Sequence, residues 1–580
     1  MRPTIRKTVA GAGVAALALT LAACGGGGGD SGGGESGGAP QKGGTLILRN
    51  FATFEHLDPQ RTYVGAALSF INRTLSQTLT TFPAKEGALG SDELIGDAAT
   101  DTGKPSDDLK TWSFTLRDGL KWQDGKEVTC EDFRYGASRT FATDQITGGP
   151  NYQVQWLDIP TAKDGTSVYK GPYKKTGQAA YDKAVTCDGK TITYKLNSPH
   201  ADFNMAVNMG AFSAFRKDKD EGAKSDFKPF SNGPYKLQGT WNKDKGGILV
   251  RNDQWDPKAD AGLRKAYPDK IDVRLGDKTE TISQALISDS GDAKDTVSYS
   301  RVAPSMVSTA QSSANAKKRL VTDVAPYTDY LFFNLTKMKN AKVREAVATA
   351  FDKQAYATTS GGETAMEPAT GGVINPTLPD AFAKFDPFDA GAKGDPAKAK
   401  QMLQEAGVKT PYPLTYTYRG SATQDKVSAG IQEALKKAGF DIKLKKVPES
   451  SDYYAKVQDP KFLADVDIGW GSWGADWPSA STVVPALYTG QQVEKVSRGQ
   501  NYSGFKDADF DKRVRENYST TDPKEAEKKW TELDQEVIEK TVIYPMGYNT
   551  FTYLYGSNVK GFVFNQAQGA CVDLAVISVK

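Results

Sequence analysis

One short segment gathers the side chains best suited to chemistry. In Gly469-Trp470-Gly471-Ser472-Trp473-Gly474-Ala475-Asp476-Trp477-Pro478, three tryptophans and three glycines surround a single carboxylate. The string matches G-x-G-x-x-G, but a dinucleotide loop needs a helix opening directly behind its glycines so that free amides meet the phosphates. Pro478 and the bulky Trp473 and Trp477 argue against that turn. The segment reads instead as a ligand loop. Its glycines allow close approach, Trp470, Trp473 and Trp477 supply stacking walls, and Asp476 offers a charge to a ligand cation. The alternative is an aromatic loop packed beneath the surface, with Asp476 capping a turn.

Other chemistry finds little material. The two histidines, His56 and His200, have no neighbouring ligand spacing, so neither a metal site nor a cofactor is expected. Gly189-Lys190-Thr191 resembles the end of a phosphate loop, yet Ala184 stands where its first glycine belongs, and Asp188-Gly189 reads as a hairpin turn. Ser225-Asp226-Phe227-Lys228 and Lys175-Thr176-Gly177 echo acyl-transferase motifs in the wrong chain order. A formal net charge of +3 with interspersed acids and bases gives no electrostatic case for nucleic acid. Tyr and Phe, at 25 each, and 9 Trp suit a recognition cleft as well as a core.

The N-terminus sets location. Arg2, Arg6 and Lys7 precede an apolar run from Val9 to Leu21, too short to span a bilayer as a helix, and Leu21-Ala22-Ala23-Cys24 closes it. This resembles a bacterial lipoprotein signal (1–23), which implies a lipid thioether on Cys24 and anchoring to the cell membrane. A plain signal peptide with a coincidental cysteine is the alternative. Residues 24–43, glycine-rich, form a tether with a reach of about 20–25 Å. In that oxidising compartment Cys130 and Cys187, both at element ends in one region, are the expected disulfide pair. Cys571 reads as a buried free thiol, with a bridge partner as the alternative.

About 535 residues follow the tether, more than one core usually covers, so two or three subdomains are expected. Asp395-Pro396 opens a helix with apolar Ala399, Met402, Leu403 and Ala406, stopped by Gly407. Leu414, Tyr416 and Tyr418 alternate as a strand; Val427, Ile431, Ala434, Leu435 and Ala438 form a helical stripe; Ile442 and Leu444 begin another strand. A short helix near Tyr453–Val457 leads to Val466, Ile468 and Trp470 at period two. This alternation argues for a mostly parallel sheet, with the tryptophan segment beyond the end of its last strand, where α/β sheets bind ligands.

The chain resembles the solute-binding proteins of peptide-type ABC importers, the peptide/nickel-binding family. The carrying strings, in family order, begin with Trp112-Ser-Phe-Thr-Leu-Arg-Asp-Gly-Leu-Lys-Trp122-Gln-Asp-Gly125 and the helix start at Thr129–Phe133. Ser231–Leu237, Leu249–Trp255, Val343–Ala346 with Phe351-Asp352-Lys353, Asp395–Gly407 and Asp522–Ile538 leading to Tyr544-Pro545 follow. The resemblance implies an α/β, two-lobed periplasmic-binding-protein clamp, with mixed sheets covered by helices and an extra subdomain in the first lobe. On it, the first lobe is 44–322 with the insert at about 95–225, the second 323–544, and 545–580 returns to the first; crossings fall near 323–332 and 542–548. It also implies a monomer that binds a small solute, chiefly peptide, and hands it to an ABC permease and its ATPase without catalysis. Asp476, with Trp473 three residues before it, stands where the family pairs a peptide's terminal amine. The family often continues with Asp-Pro after the aromatic; here Ser479-Ala480 follow Trp477. A non-peptide solute (a sugar, a metal chelate or an antibiotic-like compound) and a surface-attached hydrolase are the rival classes.

Overall fold

Strand β1 (Thr45–Asn50) buries Leu46, Ile47 and Leu48 in succession, the pattern of a strand covered on both faces. Helix α1 (Gly65–Thr74) lays Phe70 and Ile71 against it. This is a computed structural model that describes residues 40–448, 451–490, 493 and 497–580; the signal segment, Cys24 and the tether up to Ala39 lie outside them.

The chain then leaves for a separate layer. Strands β2 (Lys104–Pro105) and β3 (Thr111–Thr115) precede helices α2 (Cys130–Arg139) and α3 (Tyr152–Trp156) and strands β4 (Val185–Asp188) and β5 (Thr191–Lys195). The four strands form an antiparallel sheet in the order β2–β3–β5–β4. Trp112, Phe114, Ile192 and Tyr194 alternate inward and give this unit its own core. Thr129 and Asp132 cap α2 reciprocally. A disulfide joins Cys130, the first residue of that helix, to Cys187, and Cys571 is free and buried. Cys187 lies inside β4, not ahead of the hairpin, because pairing already begins at Val185. The turn residues are Gly189 and Lys190, with the left-handed φ of +55° at the glycine.

Strands β6 (Tyr235–Asn242), β7 (Gly246–Arg251), β8 (Lys270–Leu275) and β9 (Thr296–Ser298) complete the first sheet, in the order β9–β1–β8–β7–β6. Only β1 pairs in parallel, with β8 and β9.

Strand β10 (Leu320–Phe333), 14 residues long, carries the chain into the second lobe. There follow β11 (Met366–Pro368), α4 (Pro396–Glu405), β12 (Tyr412–Arg419), α5 (Ala422–Lys437), β13 (Phe440–Val447), β14 (Ile468–Gly474), α6 (Pro523–Glu539) and β15 (Ile543–Leu554). The sheet order is β11–β15–β10–β14–β12–β13. It is mixed, which corrects the expected mostly parallel sheet: β12, β13 and β14 pair in parallel, whereas β10, β15 and β11 pair antiparallel. The long strands β10 and β15 run side by side in opposite directions because one brings the chain out and the other returns it. Beyond β15, Cys571, Val572, Leu574, Ile577 and Val579 pack in the first-lobe core.

Candidate functional site

The tryptophan segment is a strand, not a loop, as far as Gly474. The reason lies on β10, its antiparallel neighbour. An added Cβ at Gly469, Gly471 or Gly474 would stand 2.3, 2.3 and 2.5 Å from the rings of Phe332, Tyr330 and Tyr327. The glycines thus make room for three rings of the adjacent strand, not for a ligand's phosphates. The intervening Trp470 turns into the second-lobe core, 7% exposed, beside Tyr453 and donating from Nε1 to Asp329 Oδ2 at 3.1 Å.

The chain leaves the sheet at Ala475, whose N–H donates to Pro326 O, and Asp476 follows. Asp476 accepts from the Tyr63 hydroxyl at 2.8 Å and from the Tyr152 hydroxyl. Tyr63 precedes α1 in the first lobe, Tyr152 opens α3 in the insert, and Asp476 belongs to the second lobe, so all three units meet at one carboxylate. Asp476 keeps part of its surface while protein surrounds it in depth, and its partner Tyr63 is 40% exposed. Burial pushes its carboxyl up to about 6, with the two tyrosine hydroxyls pulling it back. Burial beside this carboxylate also holds both phenols well above their ordinary range. Among the described residues no lysine, arginine or histidine forms an ion pair with Asp476. The arrangement is an acceptor with two neutral donors in place and no cation.

Trp473 is half-buried and donates from Nε1 to Thr482 O at 2.9 Å, close to where the Asp476 N–H donates to Thr482 Oγ1 at 3.2 Å. Trp477 is 2% exposed. It crosses into the insert's core, with ring centroids 5.1 Å from Tyr152 and 5.9 Å from Trp156, and donates to Asp202 Oδ2. Asp476 and Trp473 therefore retain surface at the cleft, while Trp470 and Trp477 are packing residues in this structure. Tyr63 and Tyr152 carry no sequence signal for the site, being 413 and 324 residues from their partner.

His56 contacts Asp226 at 2.5 Å within the first lobe. His200 stacks on Trp156 at 4.1 Å, and burial pushes it down to about 3, so it is neutral. Among the described residues no group of three or more His, Cys, Asp and Glu is placed to hold a metal, and no helix is long and apolar enough to cross a membrane.

The profile of the family described as bacterial extracellular solute-binding proteins, family 5 Middle, matches residues 93–495. The chain is 24% identical to the probable D,D-dipeptide-binding periplasmic protein DdpA of Escherichia coli, over 83% of this chain and 84% of that one. It is 25% identical to the dipeptide-binding protein DppE of Bacillus subtilis, over 82% of each. Among solved structures, the clavulanic acid biosynthesis oligopeptide binding protein 2 superposes with a TM-score of 0.82 at 23% identity, covering 93% of this chain and 96% of that one. The Helicobacter pylori periplasmic binding protein DppA, in complex with the peptide STSA, gives 0.69 at 21% identity, covering 93% and 98%.

Proposed function

The chain belongs to the family 5 bacterial extracellular solute-binding proteins, and from that premise we propose that it captures oligopeptides outside the cytoplasm and delivers them to an ABC importer. The observation that carries the peptide reading is Asp476, an enclosed carboxylate between the lobes with two hydroxyl donors and no cation. A peptide's terminal ammonium supplies the missing charge and donates charge-assisted hydrogen bonds to it. Relatives named for dipeptides and a similar fold solved with a tetrapeptide support the same class. Trp473 offers the ring face beside that ammonium; Trp470 and Trp477 act from behind, by fixing the strand and the lobe contact. The protein works as a monomer held at the membrane by lipid on Cys24. It performs no chemistry on its cargo, and the partner ATPase supplies the energy for transport.

Mass spectrometry of the ligand retained on gentle purification and released by denaturation tests this reading. Peptides with free amines are expected. A retained sugar, metal chelate or other compound without a peptide bond overturns it.

A further inference from the structure

The lobes meet a second time beside Trp477. Asp202, in the insert, accepts at Oδ2 from Trp477 Nε1 at 3.3 Å and contacts Ser481 Oγ at 2.5 Å. Ser481 Oγ lies 2.9 Å from Ser479 Oγ, which lies 2.5 Å from Oε1 of Glu527 on α6. Glu527 Oε2 accepts from the Ala480 N–H at 3.0 Å. All four side chains are buried. The result is an unbroken line of oxygens, carboxylate–hydroxyl–hydroxyl–carboxylate, from the insert to the second lobe.

No lysine or arginine pairs with either carboxylate among the described residues. The nearest base, His200 Nδ1, is 4.0 Å from Asp202 and is the neutral ring described above. Tyr518 faces the line from just past the helix Ala508–Asn517, its ring on His200 and its hydroxyl 3.4 Å from Ser481 O. Asp380 acts on Glu527 from the loop that also approaches Gly90 and Asp92. On α6 itself Lys529 is tied to Thr520 and Glu525. A cavity of about 90 Å³ lined by Asp202, Ser479, Ser481 and Glu527 borders the line, so its groups can exchange protons with water.

The proton count decides its state. Three oxygen–oxygen contacts need three protons, and two serines supply two. If each serine donates to its own carboxylate, Ser479 Oγ still accepts from the Ser481 N–H at 3.1 Å, but the 2.9 Å contact between the two hydroxyl oxygens has no proton and the remaining lone pairs face each other. One further proton fills every contact: Glu527 donates to Ser479, Ser479 to Ser481, and Ser481 to Asp202. We infer that the Asp202–Ser481–Ser479–Glu527 relay holds one extra proton when the lobes are together, so that closing the cleft takes up a proton and the closed form weakens as pH rises. Burial raises both carboxyls, and Asp202 and Asp380 add to the effect on Glu527, which reaches about 7 from an ordinary 4.5. The raised group makes the closed form strongest at low pH. That advantage is lost by up to about tenfold per pH unit as pH climbs from 4.5 to 7, and is gone above. The inference depends on the lobe contact and not on what the cleft binds.

Denaturant titration of the ligand-free full chain at pH 5, 6, 7 and 8 tests it. Relative to Glu527→Gln, which mimics the protonated acid, the parent's unfolding constant is expected to rise by about fortyfold from pH 5 to 7 and by less than about twofold more to pH 8. Asp202→Asn can supply a donor from the opposite end, filling the relay with Glu527 ionised at the cost of the acceptor for Trp477 Nε1, so it too should lose the slope although Glu527 is intact. It also serves as the comparison if Glu527→Gln fails to fold. A parent without the slope overturns the extra proton, and an Asp202→Asn variant that keeps it shows a proton local to Glu527 and overturns the relay. Small-angle scattering over the same pH range reads the coupling to closure. With Asp476→Asn added to both chains, to remove that carboxyl's own titration at the lobe contact, the chain with the intact relay should expand between pH 5 and 8 while the one with Asp202→Asn does not, and an unchanged radius overturns that coupling. Because no ligand is used, a failed peptide assignment leaves these outcomes unaffected.

Discussion

Asp476 is held by two phenols that belong to other lobes, so its substitution tests recognition more than folding. We predict that Asp476→Asn weakens binding of short free-amine peptides by about 2–5 kcal/mol, thirtyfold to several thousandfold. N-acetylated peptides should bind the parent poorly and barely distinguish it from the variant. Calorimetry on the four combinations isolates the coupling, and a cycle with none sinks the ammonium assignment. The pH dependence has a definite sign. Burial raises the carboxyl to about 6, while an ammonium ligand favours the anion and lowers that value. Affinity should therefore climb as pH rises toward 6 and level above it, with close to one proton released per peptide bound at pH 5. Calorimetry in buffers of different ionisation heat reads that proton, best in the Asp202→Asn background, where the relay's opposite slope is absent. Asp476 was legible in the sequence because a lone acid among tryptophans is an unusual local combination. Tyr63 and Tyr152 were not, since nothing near either tyrosine marks it and only the tertiary fold brings them to the site. The roles of Trp470 and Trp477 were not legible either, because aromatic residues between glycines look alike whether they wall a cleft or fill a core.

At the scale of elements, local signals carried furthest where a cap or period is complete in itself. Asp395 caps α4 and Asp522 caps α6, each with proline in the first turn, and the β12–α5–β13 unit has its expected parallel pairing. What failed was the assignment of β14, whose glycines suggested a loop although their partners are rings on β10, more than 130 residues earlier. A test follows from that packing. Gly471→Ala places a methyl against the Tyr330 ring and should cost about 1–3 kcal/mol, with urea titration as the readout. Pairing it with Tyr330→Leu should recover part of the loss; no recovery would show that the ring is not the cause. The insert offers a second test. Its disulfide closes a loop with a sequence separation of 57, for which chain entropy gives about 4 kcal/mol. A Cys130→Ala/Cys187→Ala chain should lose roughly that much from the insert, seen as early loss of protection from amide exchange in α2 and β4. Unchanged protection there would assign the stability to the insert's core alone.

For the whole molecule, attachment and motion are separate questions. On the proposed lipid anchor, Cys24→Ala should leave precursor or release protein to the medium, since stable anchoring needs two or more acyl chains. A processed, membrane-bound variant would show that the anchor lies elsewhere. We propose that motion between the lobes is governed by the paired crossing strands β10 and β15. Their ladder shifts register twice, between Val324 and Thr328, where Pro326 lacks a donor, and again between Asp329 and Tyr330. Two ribbons bonded edge to edge resist sliding, because a slip of one residue would turn every side chain to the opposite face. They bend out of plane with far less resistance, and here the two register shifts together make a short crease within residues 324–330. We predict that the lobes swing about residues 324–330, and amide exchange there should outpace that of the flanking stretches. Tyr327 stands on the crease, in register with Gly474 at the end of the strand that leads to Asp476. A ligand seated against that carboxylate sits near the pivot, where travel is least, so it can be gripped at the start of a swing and carried through it with little change of pose.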